Sequence, residues 1–188
     1  MNEHLKPIFE TVLPVIESGG IPYWIYGGVA IAGINGEYVR YNPDVDTFVT
    51  SDDYDKTINL ITLYETGLNW EHRDAKPQRG RRKREWRIVG NNRDILAVIE
   101  VYPVGKSVRF IFGTDFIPQN PLSTERRTIG DYSFVTPSKE FMKELLLSKV
   151  NSGSLNRDRI RKLKIDAKVV MTEDEYIDLC VQLDAIKS

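Results

Sequence analysis

Residues 95–102, Ile-Leu-Ala-Val-Ile-Glu-Val-Tyr, form a nearly continuous apolar run broken by one charge, Glu100. Such a run predicts a strand covered on both faces. A lone carboxylate there is costly unless it is paired, metal-bound or close to solvent at the strand's end. The other segments predict the layers that cover it. Residues 3–18 carry apolar side chains at helical spacing, with Pro14 expected to kink the helix. Residues 21–26 read as a short buried strand rich in aromatic and β-branched side chains, stopped by Gly27-Gly28. Residues 29–34 predict a short helix, and 45–49 a strand. Ser51 is expected to cap a helix running to about residue 64. Further strands are predicted at 70–72, 86–89, 108–112 and 132–135.

From Thr136-Pro137, read as a cap followed by Pro at the first helical position, the chain turns helical. Helices are predicted over 138–150, 155–170 and 173–186, the last opened by the capping box Thr172-x-x-Glu175. The expected class is α+β: a mixed β-sheet flanked by helices over residues 1–136, with a helical C-terminal region over 137–188.

Composition removes several alternatives. The 188 residues are 41% hydrophobic and 28% charged, which argues against disorder over the whole length. The 26 Lys+Arg and 27 Asp+Glu leave a net charge of -1, which points neither toward nor away from nucleic acid. Cys180 is alone, so no intramolecular disulfide can form, and a reducing cytosol fits. With His4 and His72 as the only histidines, a Cys/His zinc site lacks its ligands. A Ser-His-Asp triad would have to use His72, since His4 falls in a start expected to be mobile. No apolar run approaches the ~18 residues of a membrane span, and the first twenty residues hold no clean secretion core. A soluble, cytoplasmic protein is expected.

Three features then fall in order: Gly27-Gly28 between a strand and a helix, Asp44 and Asp46 two apart, and Glu100 on a later strand. Without a Cβ the backbone can turn sharply and approach an anion, and the following helix turns its free N–H groups toward a phosphate. A Gly pair at such a place also serves as a plain tight turn. Residues i and i+2 of a strand point the same way, with Cα atoms roughly 6.5 Å apart. Two carboxylates so placed repel unless a cation sits between them. Mg²⁺ takes oxygen ligands and shares them with substrate phosphates. An Asp-x-Asp pair is also common at solvent-facing strand ends. Glu100 admits either a ligand role or an ion pair with an arginine.

The run Tyr23-Trp24-Ile25-Tyr26-Gly27-Gly28-Val29-Ala30, followed by Arg40-Tyr41-Asn42-Pro43-Asp44-Val45-Asp46, resembles the signature of the nucleotidyltransferase superfamily with the DNA-polymerase-β-type fold. Ile99-Glu100-Val101-Tyr102-Pro103 matches the place of its third carboxylate. The nearest flavour is the small toxin-type members of toxin–antitoxin and abortive-infection systems, and the minimal antibiotic nucleotidyltransferases. The chain departs from the pattern at Asn42, where Thr is usual, at Gly28, where many members have Ser, and at Glu100, where Asp is usual. Of the Lys-Asp-x-x-Asp that often follows, only the second Asp has a counterpart, Asp166.

The resemblance implies transfer of a nucleoside monophosphate from an NTP to a hydroxyl, with pyrophosphate leaving. It implies Mg²⁺ or Mn²⁺ on Asp44, Asp46 and Glu100, with Glu100 also helping to deprotonate the acceptor. Gly27 and Gly28 would cradle the phosphates, and Lys149 would reach the triphosphate. The same lysine on position alone reads as a solvated helix residue.

The acceptor is addressed by one biased stretch. Between residues 79 and 87 six cations (Arg79, Arg81, Arg82, Lys83, Arg84, Arg87) stand against one anion, Glu85. Clustered cations bind nucleic-acid phosphates, and Trp86 could stack on a base. A solvated hairpin loop is the plain alternative. An RNA or tRNA end is the first acceptor expected and a small hydroxylated antibiotic the second. An antitoxin protein partner follows from the toxin-type resemblance. A catalytically inactive nucleic-acid-binding module is the competing class.

Overall fold

The computed structural model describes residues 2–63, 71–74, 85–90, 93–112, 114–151 and 155–186. A 3-10 turn, Glu3–Leu5, leads into a π-helical stretch, Ile8–Val12, and then α1, Leu13–Ser18. The wide turn falls immediately before Pro14, which has no N–H to donate to the preceding turn. The expected kink is thus a change of helix type. Strand β1 (Tyr23–Tyr26) passes directly into α2 (Gly27–Asn35). After a loop come β2 (Val45–Thr50) and α3 (Tyr54–Leu63). Then follow β3 (Glu71–Asp74), β4 (Glu85–Gly90), β5 (Arg93–Val104), β6 (Ser107–Phe112) and β7 (Thr114–Phe116). A hairpin of β8 (Glu125–Ile129) and β9 (Tyr132–Thr136) precedes α4 (Lys139–Asn151), α5 (Arg157–Val170) and α6 (Glu173–Ala185).

The main sheet runs β1-β2-β5-β4-β3, with β6 added to β5 and β7 to β6. Among the described strands of this sheet β2 and β5 are parallel and the other pairs antiparallel. This is the expected mixed sheet with helices. Residues 95–101 of β5 are all buried, as an apolar run covered on both faces requires. The register sorts the side chains. Tyr26 lies opposite Asp46, Asp46 opposite Ala97, and Ala97 opposite Arg87. Since faces alternate along a strand, Trp24, Tyr26, Asp46, Phe48, Ala97, Ile99, Glu85 and Arg87 share one face. Ile25, Thr47, Val49, Leu96, Val98, Trp86 and Ile88 share the other.

The first face holds an aromatic cluster. Phe48 stacks on Trp24 at 5.4 Å between ring centroids and meets Tyr26 at 5.7 Å. The Trp24 indole N–H donates to the Ser123 carbonyl at 3.1 Å, which pins the segment before β8 over this end of the sheet. Burying a Phe48 or Leu96 side chain is worth about 1.5–3 kcal/mol. Helices α4, α5 and α6 contribute Phe141, Leu145, Ile160, Leu163, Leu179 and Leu183 to the same core.

Two helix starts differ from expectation. Thr136 does not cap α4: its hydroxyl donates to the Pro137 carbonyl, while Ser138 Oγ accepts the Phe141 N–H at 3.1 Å. The cap lies after the proline because β9 extends through Thr136. At α3, the Asp53 carbonyl accepts the first helical N–H, from Thr57, whereas the Ser51 N–H is drawn to the Val101 carbonyl of β5. The capping box at Thr172 and Glu175 forms as its spacing predicts. Among the described residues no helix is long and apolar enough to cross a membrane.

Candidate active site

The site is built where β1 becomes α2. Tyr26 is still extended, and Gly27 turns the chain with φ +71°. That angle is rare for a residue with a side chain. Space also demands glycine: a Cβ at position 27 would stand 2.6 Å from Asp46 Oδ2. The Asp46 carboxylate therefore lies against the first turn of α2, at the positive end of the helix, where an anion is favoured. Asp44 sits one residue before β2, and both aspartates are partly exposed. Their i, i+2 spacing lets the two carboxylates converge in an accessible place.

The second glycine answers to a different neighbour. A Cβ at position 28 would fall 2.0 Å from Asn42 Oδ1 and 2.4 Å from Arg40 Nη2. The loop before β2 is thus folded onto α2. Arg40 donates to both Asp166 oxygens of α5, at 2.7 and 2.8 Å, and to Asn42 Oδ1 at 2.8 Å. The Asn42 N–H donates to Asn2 Oδ1 at 2.8 Å. His4, expected in a mobile start, has Nε2 3.0 Å from the Pro43 carbonyl and its ring 5.2 Å from Tyr41.

The Tyr26 hydroxyl reports the charge around the site. Burial pushes its pKa well above the ordinary value, and Asp46, Glu85 and Asp44 push the same way, while Arg87 opposes them. Glu85 is therefore the third carboxylate within electrostatic reach. It is buried, accepts from Arg87 Nε at 2.8 Å, and shares the Asp46 face. In the sequence Glu85 stands out only as the lone anion in a basic stretch. The signal that finds it is strand parity: it lies two residues before Arg87, which pairs with Ala97, itself paired with Asp46.

Glu100 is not brought to the aspartates. It pairs with Val49, three steps along β5 from Ala97. An odd number of steps turns a side chain to the opposite face. There its carboxylate accepts the Tyr102 hydroxyl at 2.8 Å. Trp86 is also corrected: it is only 5% exposed, and its ring is part of the core rather than a platform for bases. Lys149 lies in the last turn of α4, which packs against α2. Arg79, Arg81, Arg82, Lys83 and Arg84 lie outside the described residues. Arg126 and Arg127 pair with Glu17 and Glu125.

Among the described residues no three acidic, histidine or cysteine side chains converge as a ready cage for a metal. Two partly exposed carboxylates beside a turn that a Cβ would block do fit a hard divalent cation that completes its shell with water and phosphate oxygens. Asp44 and Asp46 are the residues that would hold it.

No protein-family model matches the chain, and no curated protein matches it by sequence. Its fold is similar to solved structures. ANT(2")-Ia in complex with adenylyl-2"-tobramycin superposes with a TM-score of 0.63 at 12% identity, covering 100% of both chains. The lincosamide antibiotic adenylyltransferase LnuA, lincomycin-bound, gives 0.60 at 16% identity, over 87% of this chain and 96% of that one. The Megavirus polyadenylate synthase gives 0.50 at 12% identity, over 98% of this chain and 33% of that one. A mixed sheet in which a Gly-Gly turn meets an Asp-x-Asp strand, followed by a helical C-terminal region, is in this chain the nucleotidyltransferase fold.

Proposed function

We propose that the protein is a divalent-metal-dependent nucleotidyltransferase that moves a nucleoside monophosphate from an NTP to a hydroxyl. The observation that carries this reading is the Asp46 carboxylate resting on Gly27 at the start of α2, with Asp44 two residues earlier in the chain. Asp44 and Asp46 would hold Mg²⁺ or Mn²⁺, which would supply positive charge against the phosphates. The N–H groups at the start of α2 face the phosphates, and Lys149 adds a point charge. The acceptor oxygen bonds to the α-phosphorus as the bond to the β-phosphate oxygen breaks, and pyrophosphate leaves. Among the described residues Glu85 shares the Asp46 face and would take the acceptor's proton, oriented by Arg87.

Two acceptors are supported by different observations. The likeness to a structure holding adenylyl-2"-tobramycin and to a lincosamide antibiotic adenylyltransferase favours a small hydroxylated molecule. The cations at 79, 81, 82, 83 and 84 favour an RNA end, as in a toxin-type enzyme.

Labelled NTPs offered with total RNA, with aminoglycosides and with lincosamides, in the presence of Mg²⁺ and then of chelator, test both. Label in RNA whose binding weakens with salt, by a slope of about -0.7 per phosphate contact, selects RNA. That slope should flatten when Arg81, Arg82 and Arg84 are replaced by Ala. Label in the small compounds, unchanged by the triple replacement, selects the antibiotic. No chelator-sensitive label in any acceptor overturns the proposal.

A further inference from the structure

The loop before Asp44 has no regular secondary structure, so side-chain bonds set its shape. Two sets of bonds act on it from opposite sides. From the N-terminal segment, Asn2 accepts the Asn42 N–H and donates to the Arg40 carbonyl at 3.3 Å, which holds the loop backbone. From α5, Asp166 holds the Arg40 guanidinium in a two-pronged ion pair. The pair is nearly dry: the Arg40 and Asp166 side chains are 13% and 7% exposed.

The place of that guanidinium is unusual. Nη2 stands 2.4 Å from where a Cβ of residue 28 would be, against the first turn of α2. The start of a helix repels a cation, so Arg40 needs a compensating anion. Asp166 supplies one charge and fixes the plane of the fork. Four donations from Arg40 go to Asp166, Tyr41 and Asn42. The fifth N–H, on Nη2, has no partner among the described residues.

We infer that Asp166 is a positioning residue for nucleotide binding: through its fork it aims the free Nη2 N–H of Arg40 at an NTP phosphate over α2. The inference rests on the nucleotidyltransferase reading and extends the nucleotide site to the C-terminal helices. Asn2 holds the loop backbone through bonds that do not involve Asp166. Losing Asp166 therefore weakens the grip on phosphate while Asp44 keeps its place.

The test separates KM from kcat. Wild type, Asp166→Asn, Arg40→Lys, Asp46→Asn and Asp184→Asn are assayed for transfer with Mg²⁺ and each of the four NTPs, with melting temperatures recorded alongside. Asp166→Asn should raise KM for the NTP about tenfold, the scale of one charge-assisted hydrogen bond, and change kcat less than about threefold. Arg40→Lys keeps the charge but loses the fork. It should raise KM similarly, and it carries the test if Asp166→Asn does not fold. Asp184→Asn breaks an exposed α5–α6 pair with Lys164 and should leave both constants unchanged.

An unchanged KM in Asp166→Asn with a lowered melting temperature overturns the inference, because the pair is then only a brace between α5 and the loop. An equal rise in Asp184→Asn overturns it too, because any loosening of α5 would suffice. If Asp46→Asn abolishes transfer while Asp166→Asn behaves as wild type, the inference fails alone. If wild type neither binds nor transfers any NTP, the functional reading fails with it.

Discussion

Glu85 and Glu100 make a natural pair. Both are buried, both lie in the main sheet, and each bonds to a residue two places along its own strand, Arg87 for one and Tyr102 for the other. Only their register with Asp46 separates them. Glu85 lies opposite Ile99, an even step from Ala97, and so faces the side on which Asp46 stands. Glu100 lies an odd step away and faces the other side. Burial alone marks a carboxylate as one that needs a reason to be there. Parity decides whether that reason is chemistry or support.

The comparison breaks most visibly at the reference point itself. Asp46→Asn, and likewise Asp44→Asn, should lower turnover by a hundredfold to a thousandfold or more, roughly the cost of removing a preorganised charge from a reacting site. The fold should survive, as a thermal melt would record. Near-wild-type turnover in either variant would remove the aspartates from the site and leave the two glutamates nothing to be compared against.

The glutamates come next. Glu85→Gln should lower kcat about a hundredfold, within the usual range for a lost general base. Glu100→Gln should change kcat less than about threefold and instead lower stability by about 1–3 kcal/mol, the cost of disturbing a buried charged hydrogen bond. Denaturant unfolding and turnover measured on both variants check this. The reverse pattern would restore Glu100 to the site that its motif position implied.

That reversal of roles shows what the sequence can carry. The aromatic strand and the Gly-Gly stop are local features, and each formed where expected because its cause lies within a few residues, whereas β2 begins only at Val45 and leaves Asp44 just outside it. The capping box at Thr172 formed for the same reason. The faces of Glu100 and Trp86 depend on register between strands far apart in sequence, so neither is legible in its own segment. The pairing of Ala97 with both Asp46 and Arg87 cannot be read from any one segment. Arg40 was visible within a motif and Asp166 as a lone acid at the next helix, but their fork joins residues 126 positions apart. His4 likewise meets the Pro43 carbonyl 39 positions away, a contact that no local pattern announces.

A third effect should be smaller and should touch the Asp46 side only. Gly27→Ala puts a side chain at φ +71° and a Cβ into the Asp46 carboxylate. The backbone strain costs about 1–2 kcal/mol. Displacement of Asp46 should lower kcat about tenfold, one step of 1.4 kcal/mol in the barrier. Stability falling without any loss of turnover would mean that Asp46 works equally well away from the turn, and that its contact with Gly27 is packing alone.

The smallest effect belongs to the other face. Tyr102→Phe removes one hydroxyl donor from Glu100 and adds no volume. A hydrogen bond to a charged group is worth about 1.5–3 kcal/mol at most. Tyr102 is only half-buried, so water can replace part of what is lost, and about 1 kcal/mol is expected. Turnover should not change, since Tyr102 shares its parity with Glu100 and not with Asp46. The equivalent change beside Glu85, Arg87→Met, removes the guanidinium that bonds this buried carboxylate on the Asp46 face and should lower both stability and kcat. Measuring the two variants by denaturant unfolding and by transfer tests parity without touching either glutamate. If Tyr102→Phe lowered kcat as much as Arg87→Met, the two faces would be coupled through β5 and the division between chemistry and support would not hold.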